Sequence, residues 1–141
     1  MEILCWFLLF LQVLFIGICQ AANPSKKCRD DYRASTLSES CILHCEYKAY
    51  GFANDNYDMK KKHIDNFVNA LIDGNAVTND KRQKLENLLR KCANEARKEN
   101  PNFGCQTTID YYRCIVRDQK LINYSKFATA IILHDRKINM N

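Results

Sequence analysis

The chain is 141 residues long, with 21 Lys and Arg against 16 Asp and Glu, a formal charge of +5 and eight cysteines. That length holds one compact domain and excludes multidomain machinery. The basic balance makes a polyanion a natural partner, although net charge bears on association and solubility rather than on fold.

Residues 3–19 are almost wholly apolar, interrupted only by Gln12. The run is shorter than the ~20 residues that span a bilayer, and it ends in Cys19-Gln20-Ala21, with a small residue at both positions a signal peptidase inspects. Residues 1–21 therefore read as a secretory signal peptide, and residues 22–141 as a single mature domain. Glu2 stands where a basic residue usually precedes the apolar run, so an uncleaved anchor is the alternative. No later segment reaches spanning length. Cleavage after Ala21 removes one charged residue, Glu2, and raises the formal charge to +6. It also removes Cys5 and Cys19 and leaves six cysteines. An even set in a small exported chain reads as a disulfide framework, each bridge contributing roughly 2–4 kcal/mol.

Few glycines and two prolines make helices the economical reading of the mature chain. A short polar helix is expected over residues 23–33, entered through Pro24. A second spans 38–50, with Ser38 as N-cap and Gly51 as the stop. After a loop at 52–57, Asp58 caps a third helix carrying Ile64, Phe67, Val68 and Leu71 at 3–4 spacing, closed by Asp73-Gly74-Asn75. A fourth covers 79–99, with Leu85, Leu88, Leu89, Cys92 and Ala96 on one face and Lys84, Lys91 and Lys98 on the other. A fifth covers 107–117, with Thr107 and Asp110 in the N-cap and third positions, and a sixth covers 124–134.

The six cysteines are Cys28, Cys41, Cys45, Cys92, Cys105 and Cys114, separated by 12, 3, 46, 12 and 8 residues. Cys41 and Cys45 share a helix face, so each must reach a different neighbouring segment. Spacing alone does not choose among the pairings. Cys-x3-Cys in the second helix followed by Cys-x8-Cys resembles the insect odorant-binding protein pattern. That resemblance implies an all-α, compact, disulfide-stapled bundle of five to six helices, with Cys28–Cys45, Cys41–Cys105 and Cys92–Cys114 interlocked. The short Cys28-to-Cys41 gap implies a shortened first helix and little volume for a large odorant pocket. Asn23-Pro24-Ser25-Lys26-Lys27-Cys28, Asp110-Tyr111-Tyr112-Arg113-Cys114 and Asn123-Tyr124-Ser125-Lys126-Phe127 resemble the small odorant-binding-like salivary proteins of blood-feeding sand flies. This resemblance implies secretion in saliva and an anti-haemostatic role, with inhibition of contact-activated coagulation by covering anionic polymers and surfaces.

Basic side chains cluster at Lys60, Lys61 and Lys62, along the longest helix at Lys81, Arg82, Lys84, Arg90, Lys91, Arg97 and Lys98, and at Arg113, Arg117 and Lys120. The four-then-three spacing of positions 113, 117 and 120 places them on one helical face, with Arg136 and Lys137 as an extension. Singly these are solvated helix faces, partly neutralised by Glu86, Glu95, Glu99 and Asp118. As a set they suit a chain of sulfates or phosphates. Export and the lack of a nucleic-acid-binding motif favour heparin-like glycans, dextran sulfate, polyphosphate or DNA released into wounds as partners, with host coagulation factors behind them.

The alternative is a carrier of small hydrophobic ligands or biogenic amines, lined by Tyr47, Phe67, Phe103, Tyr111, Tyr112 and Phe127, with Tyr50, Phe52 and Tyr57 nearby. The plainer reading of those rings is core filling. His44, His63 and His134 lie singly, so no enzyme, no metal site and no cofactor is expected. Asn123-Tyr124-Ser125 is a glycosylation sequon. A monomer is expected.

Overall fold

Asn23 and Pro24 set the first helix. Asn23 Oδ1 accepts the Lys26 N–H at 3.3 Å, and proline occupies a position that needs no N–H partner. A computed structural model describes residues 22–118 and 120–138, and the expected signal peptide at 1–21 lies outside them. The described residues form six α-helices: α1 (Pro24–Arg33), α2 (Ile42–Ala49), α3 (Lys61–Asp73), α4 (Arg82–Glu99), α5 (Cys105–Arg117) and α6 (Tyr124–Lys137). Short 3-10 turns at Glu39–Cys41 and Asn79–Lys81 lead into α2 and α4. Among the described residues no helix is long and apolar enough to cross a membrane.

Three of the expected caps are made differently. Ser38 precedes the 3-10 turn, and its hydroxyl meets the Ser40 hydroxyl at 3.2 Å rather than a backbone N–H. Asp58 does not cap α3, because its carboxylate is taken by Arg97 at 2.7 Å. His63 caps instead: its Nδ1 accepts the Lys60 N–H at 3.0 Å. Helix α5 starts two residues early, at Cys105, and Thr107 is buried inside its first turn with no partner for its hydroxyl among the described residues. Gly51 does stop α2: its φ of +72° lies in the region that glycine favours.

The 3–4 periodicity places the core side chains on inward faces. Ile64, Phe67, Val68 and Leu71 of α3 meet Leu85, Leu89 and Ala93 of α4, Tyr111 and Ile115 of α5 and Phe127 of α6. The Phe52 and Phe67 rings stack with centroids 4.2 Å apart, and Tyr47 meets both edge-on at 5.6 and 5.5 Å. Each such side chain contributes roughly 1.5–3 kcal/mol through burial.

Cys28–Cys45 ties α1 to α2, Cys41–Cys105 ties the turn before α2 to the start of α5, and Cys92–Cys114 ties α4 to α5. These are the three pairs the resemblance implies. Helices α3 and α6 carry no cysteine. The C-terminal end of α6 is held by Asp135, a buried carboxylate that accepts the Ser25 N–H at 2.8 Å, the Ser25 hydroxyl at 3.1 Å, the Tyr50 hydroxyl at 2.9 Å and the Asn23 side-chain amide. His134 stacks on Phe52 at 5.1 Å beside it. Asp135→Ala leaves the buried Tyr50 hydroxyl and three part-buried donors without an acceptor. The expected loss is at least about 2 kcal/mol of unfolding free energy in denaturant titration. Hydrogen exchange should rise across α6 before it rises across the disulfide-joined α4 and α5.

Candidate polyanion-binding surface

Two backbone turns bring separated lysines together. At the end of α3, Asn75 adopts φ +58°, and the Ala76 N–H returns to the Leu71 carbonyl at 2.8 Å. The carbonyl of buried Ala76 then accepts the Asn123 N–H at 2.8 Å, docking the start of α6 against the α3–α4 turn. At the end of α5, Asp118 Oδ1 accepts the Lys120 and Leu121 N–H groups at 3.0 and 2.9 Å and turns the chain sharply. The Tyr124 hydroxyl, shared between the Ile115 and Asp118 carbonyls at 3.0 Å each, braces that turn.

The product is a groove made of two adjoining depressions of about 400 and about 410 Å³ that share Lys81, Lys120 and Leu121. The first adds Lys84, Leu88 and Asp118. The second adds the 75–78 turn, Ile122, Asn123 and Lys126. Four lysines therefore line a partly apolar floor against one carboxylate, Asp118, which already serves two backbone donors. Among the described residues, none of these four ammonium groups takes part in an ion pair. Asp80 at the edge has its carboxyl held below the usual range, first by the Thr78 hydroxyl and then by the charges of Lys81 and Lys84.

The sequence-derived basic set divides sharply around this groove. Lys81, Lys84 and Lys120 belong to it. The expected stripe of Arg113, Arg117 and Lys120 does not form, because α5 ends at Arg117 and Asp118 is extended, so Lys120 leaves the helical register and faces α4 instead. Arg113 is engaged by Asp110 at 3.2 Å, Lys91 by Glu95 at 3.7 Å and Lys61 by Asp65 at 2.7 Å. Arg82 bridges Asn69 and Asn79, joining α4 to α3. Arg97 pairs with Asp58 and lies over the Phe103 ring at 5.5 Å. Lys60 and Lys62 are exposed at the start of α3, Arg90 and Lys98 are exposed on α4, and Arg117 is exposed at the end of α5. Arg136 and Lys137 end α6, with Lys137 at 3.8 Å from Asp73. Lys126 was absent from the sequence-derived set. The long-range Asn123–Ala76 bond brings it in beside Lys81 and Lys120, and no local pattern signals that.

The aromatic set is also split. Tyr47, Phe67, Tyr111 and Phe127 are buried and in ring–ring contact, whereas Phe103 is 45% exposed on the surface. Tyr112 is half-buried beside Phe127 at 6.3 Å. Burial pushes the Tyr111 phenol well above its ordinary range, and among the described residues its hydroxyl has no partner. His44 is buried against Thr108, with Nδ1 3.0 Å from the hydroxyl, and burial pushes its pKa down.

Residues 18–118 match the PBP/GOBP family profile. The chain is 39% identical over 137 residues to Ayaconin of Lutzomyia ayacuchensis, covering 94% of both chains. It is also 39% identical over 132 residues to Salivary protein 15a of Phlebotomus duboscqi, covering 91% of this chain and 92% of that one. Salivary protein 15b of the same fly is 37% identical over the same shares.

The cap beneath the Lys60-Lys61-Lys62 run titrates. Burial, then Lys62, lowers the His63 pKa, with Asp58 opposing, and its Nδ1 must stay unprotonated to accept the Lys60 N–H. A histidine with a depressed folded-state pKa contributes stability that is present above its unfolded value of about 6.5 and is lost as pH falls through the folded value. Replacing it by Gln keeps a capping acceptor and removes the titration. The fall in melting temperature between about pH 7.5 and pH 5 is therefore expected to be smaller in His63→Gln than in the parent.

Proposed function

The chain belongs to the PBP/GOBP family of binding and carrier proteins, and from that premise we propose that it is a secreted salivary protein that covers extended anionic polymers or surfaces with its lysine groove, and so inhibits contact-pathway coagulation. The observation that carries this reading is the convergence of Lys81, Lys84, Lys120 and Lys126 on one open groove with no ion-pair partner among the described residues. An open, elongated basic surface follows a polymer's backbone and is indifferent to its sequence. Its affinity comes from released counterions. Covering a polyanion in this way removes the template on which host proteases assemble. Export accords with the leader-like segment at 1–21, the three disulfides and the salivary relatives.

The carrier reading, for small hydrophobic or amine ligands, draws on the family and on the Tyr111 hydroxyl, buried in the aromatic core without a partner among the described residues. Its signature is uptake of an apolar fluorescent probe that is insensitive to salt and is weakened by Tyr111→Phe.

Titration with heparin or dextran sulfate across a salt series tests the groove. Four contacts give a slope of log affinity against log salt near about −3. Lys81→Glu and Lys98→Glu change the net charge equally, but Lys98 lies roughly 21 Å along α4 from Lys84. Lys81→Glu is expected to weaken heparin binding at least about fivefold at physiological salt, and Lys98→Glu far less. Prolongation of contact-activated clotting should follow the same order. Equal losses for the two variants would assign the effect to net charge and remove the groove from the proposal.

A further inference from the structure

The groove has a feature at one end that its charges do not explain. Asn123, the first residue of the sequon Asn123-Tyr124-Ser125, lines the same depression as Lys81, Lys120 and Lys126. Its backbone does the structural work: the N–H reaches the Ala76 carbonyl at 2.8 Å, and its carbonyl accepts the Lys126 and Phe127 N–H groups at 3.0 Å each. Its side chain does none of it. Asn123 makes no side-chain cap to α6 although it occupies the N-cap position, and it is exposed in an extended conformation. Oδ1 accepts the Ser125 hydroxyl at 2.6 Å, and among the described residues Nδ2 donates to nothing. A sugar attached at Nδ2 therefore displaces no native hydrogen bond and strains no backbone. The three disulfides call for the oxidising export route, which is also where such sugars are added.

We propose that Asn123 carries an N-linked glycan and that this glycan closes one end of the lysine groove, so that the glycosylated chain binds polyanions more weakly, and with a shallower salt dependence, than the bare chain. The gating half of the proposal rests on the polyanion reading above; the modification does not. A bulky neutral glycan rooted between Ile122 and Lys126 shields Lys126 and Lys120, its neighbours in that depression. Lys84 and Leu88, in the adjoining depression, stay open. Two glycoforms of one chain would then differ in how many contacts a polymer makes, not in whether it binds.

The test uses the full chain secreted from insect cells, alongside Ser125→Ala and Asn123→Gln, which abolish the sequon in two different ways. Deglycosylation by an amidase is unsuitable because it leaves an aspartate beside the lysines. Intact mass is read first. A glycan increment in the parent and in neither variant supports the modification, and a parent of bare mass overturns it. Heparin titration over a salt series is read next. Both variants should bind about fivefold more tightly per unshielded lysine at physiological salt, with a slope steeper by about one per contact. A glycosylated parent whose heparin curves coincide with those of both variants overturns the gating. Should no form bind heparin, the polyanion reading fails and the gating with it, while the mass still decides the modification. Equal melting temperatures across the three proteins guard against a folding defect.

Discussion

Helix α2, with the 3-10 turn that enters it, is the fixed point of the molecule, because Cys41 and Cys45, four residues apart, are bonded to different partners. One bond leads back to α1 and the other forward to the start of α5, which Cys114 bonds onward to Cys92 of α4. Four of the six helices thus form one covalent series. On a loop-entropy estimate each bridge contributes roughly 3–4 kcal/mol, chiefly by restricting the unfolded chain. Helices α3 and α6 lie outside the series and are held by packing, by Asp135 and by the close approach of Gly74 to Ala130, where a Cβ on Gly74 would lie only 2.2 Å from the alanine Cβ. Glycine at that position lets the end of α3 meet α6.

The groove straddles the boundary between those two halves. Lys84 lies on α4 within the covalent series, Lys81 in the turn that enters α4 and Lys120 in the turn after α5, while Lys126 and Asn123 arrive with α6. Its width therefore depends on non-covalent contacts, above all the Asn123–Ala76 backbone bond and the Asp118 turn. A polymer lying across both halves would bridge α4 and α6, adding stability to the one helix at this surface that no disulfide secures.

Much of the fold was legible from spacing. The apolar 3–4 pattern located α3 and α4 within a few residues, and Pro24, Gly51 and Asn100-Pro101 marked boundaries that the structure keeps. The departures have two causes. Asp58 and Thr107 are claimed by the tertiary neighbourhood, Arg97 taking the one and the core the other, whereas Ser38 and Lys120 are redirected locally, by the 3-10 turn before α2 and by the Asp118 turn that ends the α5 register. Lys126 shows the converse. Nothing within its own segment marks it, since its partners in the groove lie on α4 and in two turns distant in sequence. Sequence periodicity reports which face of a helix is buried. It does not report which exposed cations remain without carboxylate neighbours.

That distinction separates charge from function here. Along α4 the cations near the C-terminal end and on the middle of the exposed face are partly paired, Arg97 with Asp58 and Lys91 with Glu95, and Arg113 on the neighbouring helix is paired with Asp110. Exposed pairs of this kind contribute little to stability, about 0–1 kcal/mol, but a polyanion must compete with the resident carboxylate to use them. Lys81 and Lys84 at the opposite end, with Lys120 and Lys126, present no such competitor among the described residues apart from the edge charges of Asp118 and Asp80. The formal charge is a property of the whole chain, whereas the field a polymer meets is set by this uneven pairing. Meanwhile the aromatic centre is occupied by its own rings in mutual contact, as in the Phe52–Phe67 stack. In this bundle, then, the four lysines that converge without ion-pair partners among the described residues lie on the surface, at the end where the turns after α3 and α5 meet.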